Sequence, residues 1–185
     1  MNEIAFMENY FKARWFGVRF CNSYTEKGEE PESPISFCEA ITRARIKPVI
    51  LSRDSMNCPG GAHSFGWQNN EGSLIRLMAS KANTEESLIK AIVDSVPRLN
   101  GQFDHVIIGS DDNADLYISY AQPEMGMSLL RDWQRISGTI PVIKPSAFLA
   151  ICGAVAAQVY MNGGISLSFG RSEEHTSELQ SLLII

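Results

Sequence analysis

The chain holds four cysteines, Cys21, Cys38, Cys58 and Cys152, yet no two of them stand in C-x-x-C spacing. Zinc ribbons and thioredoxin-like redox motifs need that spacing, so both are disfavoured. Positive charge is also scarce: a net charge of −5 and a pI near 5.2 give no electrostatic reason to expect nucleic acid. The longest apolar run, Ala147 to Ala157, has 11 residues, well under the roughly 18 of a membrane span. It is expected to form a buried helix, with no membrane partner. At the N-terminus, MNEIAFMENYFK places Glu3 and Glu8 where a secretory signal needs positive charge and an apolar stretch. A cytoplasmic address follows, and with it reduced cysteines. The glycines Gly60, Gly61 and Gly66 match neither the phosphate loop, which ends in Gly-Lys-Ser/Thr, nor the dinucleotide fingerprint.

What the chain does have is the length and composition of one globular domain. Its 185 residues are 44% hydrophobic and 20% charged, which suits a single buried core. Apolar spacing predicts a helix over Glu3 to Ala13 and a strand over Trp15 to Phe20. NSYTEKGEEPESP, Asn22 to Pro34, has Tyr24 as its sole apolar anchor and two prolines. It is an exposed loop, either a tolerated insertion or a flap. Ser36 and Glu39 form a capping box that opens a helix. PVILS is strand-like, Thr84 to Val96 is an amphipathic helix stopped by Pro97, and HVIIGS is a buried strand. Asn113 to Ile136 has a helical pattern that Pro123 interrupts and Gly138 ends. PVIK is a strand, Ser146 caps the helix containing Cys152, Asn162-Gly163-Gly164 ends it, and ISLSFG is a final strand.

Alternating helices and strands place the fold in the α/β or α+β class. Strand, helix, strand and small-residue helix recur, first as GVRF, SFCEAITRA, PVILS and CPGGAHSFG. The second copy would be VIIGS, NADLYISYA, IPVIK and SAFLAICGAVAAQ, an internal pseudo-repeat.

CPGGAHSFGW carries the clearest chemical signal. Pro59 suits the first position of a helix, which puts Cys58 at its cap, beside free amides that favour a thiolate. Cys38, two residues after Ser36, lies in the first turn of another helix. Against this stands packing, since a free cysteine usually behaves as a small buried hydrophobe. Packing is the default for Cys152 beside Gly153, and Cys21 has no special context. His63 is five residues beyond Cys58 and points elsewhere on a helix, as a surface or satisfied core histidine. Asp111, Asp112 and Asp115 fit caps of a following helix better than a metal cluster. Arg43, Arg45 and Lys47 sit where a helix ends and its dipole favours cations, rather than at a phosphate site.

WFGVRF, SFCEAITRA, PVIL, CPGGAHSFGW, VIIG, AICG and ISLSFG, in that order, resemble the domain of unknown function 169 family of archaea and bacteria. The resemblance runs from about Trp15 to Gly170 and rests on Cys38, Cys58, Gly61, Gly66 and Cys152. It makes Cys38, Cys58 and Cys152 candidate ligands of an iron-sulfur cluster or another soft metal. Cys38, Cys58, Gly60, Gly61 and Gly66 would line the same cofactor or small-ligand site. The alternative is a non-enzymatic module that binds a small molecule or partner and merely packs its cysteines. A thiol-dependent enzyme ranks last, because neither base nor substrate can be named.

After Gly170 the pattern of the family stops. RSEEHTSELQS, Arg171 to Ser181, resembles residue for residue the translation of a short-read library adapter. Residues 171–185 are therefore read as a non-native tail on a domain spanning 1–170 that has lost its closing segment. Setting Arg171 against Glu173, Glu174 and Glu178 moves the charge from −5 to −3, and His175 drops out as a ligand.

Overall fold

The computed structural model of the protein describes residues 14–25, 27–67, 71–109, 114–121, 123–140, 151–169 and 181–184. The expected helix over Glu3–Ala13, the strand PVIK, the Ser146 cap, and Asp111 and Asp112 lie outside them. The strands are β1 (Trp15–Cys21), β2 (Val49–Ser52), β3 (His105–Ile108), β4 (Leu116–Ala121), β5 (Ser166–Phe169) and β6 (Ser181–Ile184). The helices are α1 (Phe37–Arg43), α2 (Pro59–Phe65), α3 (Glu71–Ala82), α4 (Glu86–Ser95), α5 (Pro123–Ser137) and α6 (Ile151–Asn162). The strands form one sheet in the order β2-β3-β1-β4-β6-β5, and every pairing of neighbours is antiparallel. The domain is thus α+β.

Register divides the sheet into two faces, because opposed residues in a ladder point the same way. Val18 opposes Ile108 and Leu116, Phe20 opposes Val106, Phe16 opposes Ile118, and Leu51 opposes Val106. All of these residues belong to the main hydrophobic cluster, with Phe37, Ala40 and Ile41 of α1, Ala62 and Phe65 of α2, and Ala156, Ala157 and Val159 of α6. The opposite face carries Trp15 and Tyr117, which pack with Leu129, Leu130 and Trp133 of α5. Ile50 and Ile107, partners in register, are buried on that second face as well. Helices α3 and α4 close on each other through Leu74, Ile75, Ala79, Ile89 and Val93.

Several expectations hold: the strands at Trp15, Val49, His105 and Ser166, the helix from Ser36, and the stop at Gly163, whose N–H donates to Val159 O at 2.7 Å. Others do not. Leu116–Ala121 is strand β4, not helix. Leu116, Ile118 and Tyr120 alternate onto the main cluster while Tyr117 turns to α5, and that period of two wins once β1 offers its edge. Asp115 therefore caps no helix; its carboxylate accepts the Phe20 N–H at 2.7 Å. The pseudo-repeat loses its second helix by the same fact. Helix α3 occupies a stretch, Glu71–Ala82, that is read as no element from sequence. Strand β6 comes from the segment set aside as a tail. The apolar run SLLI meets what an open strand edge demands of any partner.

Phe65 is the centre of the main cluster: it is 1% exposed and meets Phe20, Phe37 and Trp67 edge-on at 5.4, 5.2 and 5.3 Å. Phe65→Ala should cost about 3–5 kcal/mol, read as a lower urea midpoint in equilibrium unfolding.

Candidate functional site

Two helix starts meet at one point. Ile35 and Met56 form a parallel bridge, in which Ile35 N–H donates to Ser55 O at 2.9 Å and Asn57 N–H donates to Ile35 O at 3.0 Å. Asn57 Nδ2 adds a bond to Pro34 O at 2.7 Å. Ser36 and Cys58, the caps of α1 and α2, therefore begin side by side, and α6 packs against both helices.

Cys58 is the N-cap of α2, with Pro59 at the first helical position, and its Sγ accepts the Gly61 N–H at 3.3 Å. At α1 the cap is Ser36, whose Oγ accepts the Glu39 N–H at 3.1 Å. Cys38 and Cys58 are in no disulfide and of intermediate exposure, and both rest against the main hydrophobic cluster. Cys152 lies in α6 near its start; its side chain falls outside the described residues. Cys21 ends β1 opposite His105. Among the described residues, no three of His, Cys, Asp and Glu converge to hold a metal.

The glycines differ in what their positions require. A Cβ on Gly61 would make ordinary contact with Cys58 Sγ at 3.6 Å and Met56 Sδ at 3.4 Å. Gly66 is different: at φ +72° it closes α2, sending the Trp67 N–H to Ala62 O and its own N–H to His63 O. A Cβ there would lie 2.1 Å from Gly101 N, so the Asn100–Gly101 turn accounts for this glycine without a ligand.

His63 is a core histidine, 3% exposed, and its Nε2 is buried with no hydrogen-bond partner among the described residues. Burial first, then the Arg98 guanidinium, hold its imidazole below the ordinary range, against the opposing pull of Glu71, the Val93 backbone and Asp94. The basic cluster offers no phosphate site. Arg43 pairs with Glu39 at 2.7 Å and Glu29 at 2.9 Å, Lys47 pairs with Glu29 at 3.2 Å, and Arg45 stands over the Tyr120 ring. Those two cations, Lys47 foremost, hold the Glu29 carboxyl below the usual carboxylate range.

A cleft that the sequence does not announce lies on the other face of the sheet. Ile50, Ser52 and His105 form its floor, all on the side away from α1 and α2. Residues 27–34, together with Tyr24, form a strap over it. Glu29 bridges to Val49, donating to Pro48 O at 2.7 Å and accepting the Ile50 N–H at 2.8 Å. Gly28 passes so near Ile50 that a Cβ would meet its Cγ1 at 2.8 Å. Tyr24 stands edge-on to His105 at 5.0 Å and donates its hydroxyl proton to Glu30 Oε1 at 2.5 Å, a bond that raises the phenol above its ordinary range. The cleft has a volume of about 270 Å³, with Glu32, Asp54 and Ser55 completing its polar wall and Pro31 and Pro34 its apolar one. Its lone sequence signal is the loop itself, in which Tyr24 is flanked by acids and prolines.

A family model, DUF169, described as uncharacterised ArCR, matches residues 11–180. No curated protein and no solved structure matches the chain.

Two outcomes follow from the geometry. Gly66→Ala should lose roughly 2–4 kcal/mol, from the left-handed strain and the clash at Gly101 together, read by urea unfolding. For His63, the folded protein holds the proton less tightly than the unfolded chain. Stability is therefore full above the unfolded value of about 6.5 and is lost as pH falls from there through the lower folded value. His63→Gln should flatten that acid-side loss, measured as urea midpoint against pH.

Proposed function

The chain belongs to the DUF169 family, and from that premise we propose that it is a non-enzymatic, cytoplasmic small-molecule-binding module whose cysteines cap and pack. Its ligand site is the cleft beneath the strap, and the strap is its flap. The observation that carries this reading is the Cys58 cap. Its sulfur accepts the Gly61 amide, as a serine oxygen would, and its partly buried side chain packs against the main cluster. The polar groups left facing open space are instead those of the cleft, on the opposite side of the sheet. The same reading takes residues 1–170 as the domain and 171–185 as foreign to it, which sequencing the genomic locus across codon 170 tests.

One observation favours a second reading. Ile35 and Met56 bring two cysteine-bearing helix starts together, as a thiolate site for a soft metal or an iron-sulfur cluster would require. Cys152 of α6 would be its third ligand.

Substitution at Cys58 separates the two. Cys58→Ser should keep stability within about 1 kcal/mol, because serine is a better cap, while Cys58→Ala should lose about 0.5–2 kcal/mol. Protein purified without oxygen should be colourless and free of stoichiometric iron or zinc. Metal at one equivalent that disappears in Cys58→Ser would overturn the module reading.

A further inference from the structure

We infer that helices α3 and α4 form a pH-sensitive unit, which undocks from the rest of the domain when His63, buried in its seat, takes a proton.

The hairpin packs as a unit of its own. Leu74, Ile75 and Ala79 of α3 meet Ile89 and Val93 of α4 in a cluster distinct from the main one. Its contact with the remaining elements is chiefly that of α3 with α2. The chain leaves the main cluster at Trp67 and re-enters it at Leu99. Both points are tied to the body by bonds in which the hairpin has no part. Trp67 Nε1–H donates to Phe103 O at 2.6 Å, Leu99 N–H to Ser64 O at 2.8 Å, and Gly101 N–H to Phe65 O at 3.0 Å. Helices α3 and α4 can therefore swing away with their own cluster intact and the main core closed, as a unit that opens below the energy of global unfolding does.

His63 is the polar group in this seat. It is 3% exposed, and its Nε2 is buried with no hydrogen-bond partner among the described residues. The charges around it come from three places: Glu71 from α3, Asp94 from α4, and Arg98 from the segment after α4. Lys90 of α4 spans Glu71 at 3.5 Å and Asp94 at 2.9 Å, so both carboxylates are already engaged. Arg98 Nε donates to the His63 carbonyl at 3.2 Å, which keeps the guanidinium beside the ring. Helix α6, which also packs against α2, has no Asp, Glu, Lys, Arg or His.

A proton on Nε2 adds a donor where there is no acceptor, and a charge beside Arg98. Burial first, and Arg98 second, thus hold the docked ring below its ordinary range. With the hairpin undocked, the ring is hydrated and takes its proton near the ordinary value of about 6.5. The docked form binds the proton less tightly, so docking is full above that value and weakens as pH falls below it. The opening constant rises by at most roughly tenfold per pH unit, until the docked ring itself protonates.

The test is hydrogen–deuterium exchange of the full chain by NMR, from about pH 7 to about pH 5 and in dilute urea, with each amide's rate divided by its intrinsic rate. The amides of Leu74, Ile75, Ala79, Ile89 and Val93 should exchange through an opening whose urea slope is smaller than that of Val18 and Val106 in the sheet. That opening constant should rise roughly five- to twentyfold across the pH range, and in His63→Gln it should stay within about twofold. One slope shared by hairpin and sheet amides, an opening indifferent to pH, or a pH dependence that survives in His63→Gln would each refute the undocking. Should His63→Gln not fold, the wild-type ring decides. Its ¹⁵N shifts should titrate with a midpoint below about 6.5, and a midpoint at or above that value removes the driving force for undocking.

Discussion

The two hydrogen bonds of the Ile35–Met56 bridge are the constraint on which both candidate sites depend. They tie the end of the strap to the segment after β2. On one side of this tie, α1 and α2 start in parallel and set Phe37 against Phe65. On the other, Pro34 and Ser55 become neighbouring walls of the cleft. A backbone bridge can do this because each buried N–H and C=O must find a partner. Here two loops satisfy each other and so fix their relative position.

The sheet divides the labour of the domain. Its main face is closed by α1, α2 and α6 around Phe65 and is almost wholly apolar. A thiol there is stabilised by packing and by a helix-start amide, as Cys58 is. The second face is covered by α5 over β1 and β4 and by the strap over β2. A loop covers a sheet less completely than a helix, so space remains, and polar side chains of the strap line it. The strap and the turn after β2 also blunt the β2 edge, since Glu29 accepts the Ile50 N–H and Ser55 Oγ accepts the Ser52 N–H at 2.7 Å.

Much of the local structure was legible in the sequence because its signals are local. The Ser36–Glu39 cap, Pro59 after Cys58, and Asn162-Gly163 after α6 each act within one helical turn. Helix α3 was missed because Gly72 and Ser73 dilute its start, although Leu74, Ile75, Met78 and Ala79 have helical spacing. Strand β4 was misread because LYISYA satisfies both periods over so short a span. The cleft was not legible. Its walls come from the strap, β2, the turn after β2 and β3, and no spacing along the chain links Tyr24 to His105.

The sequence by itself determined which segments could be helix or strand, where most described helices stop, and that Cys58 would stand at a cap. Those outcomes follow from backbone amides and side chains a few residues apart, whose geometry any context preserves. Tertiary structure decided the antiparallel order of the sheet, the strand identity of Leu116–Ala121, and the use of Glu29 by Arg43 and Lys47. It also decided that the charged groups of the strap would close over His105. Those depend on which face each strand buries and on what lies across from it, and chain-distant contacts of that kind are settled only when the core closes.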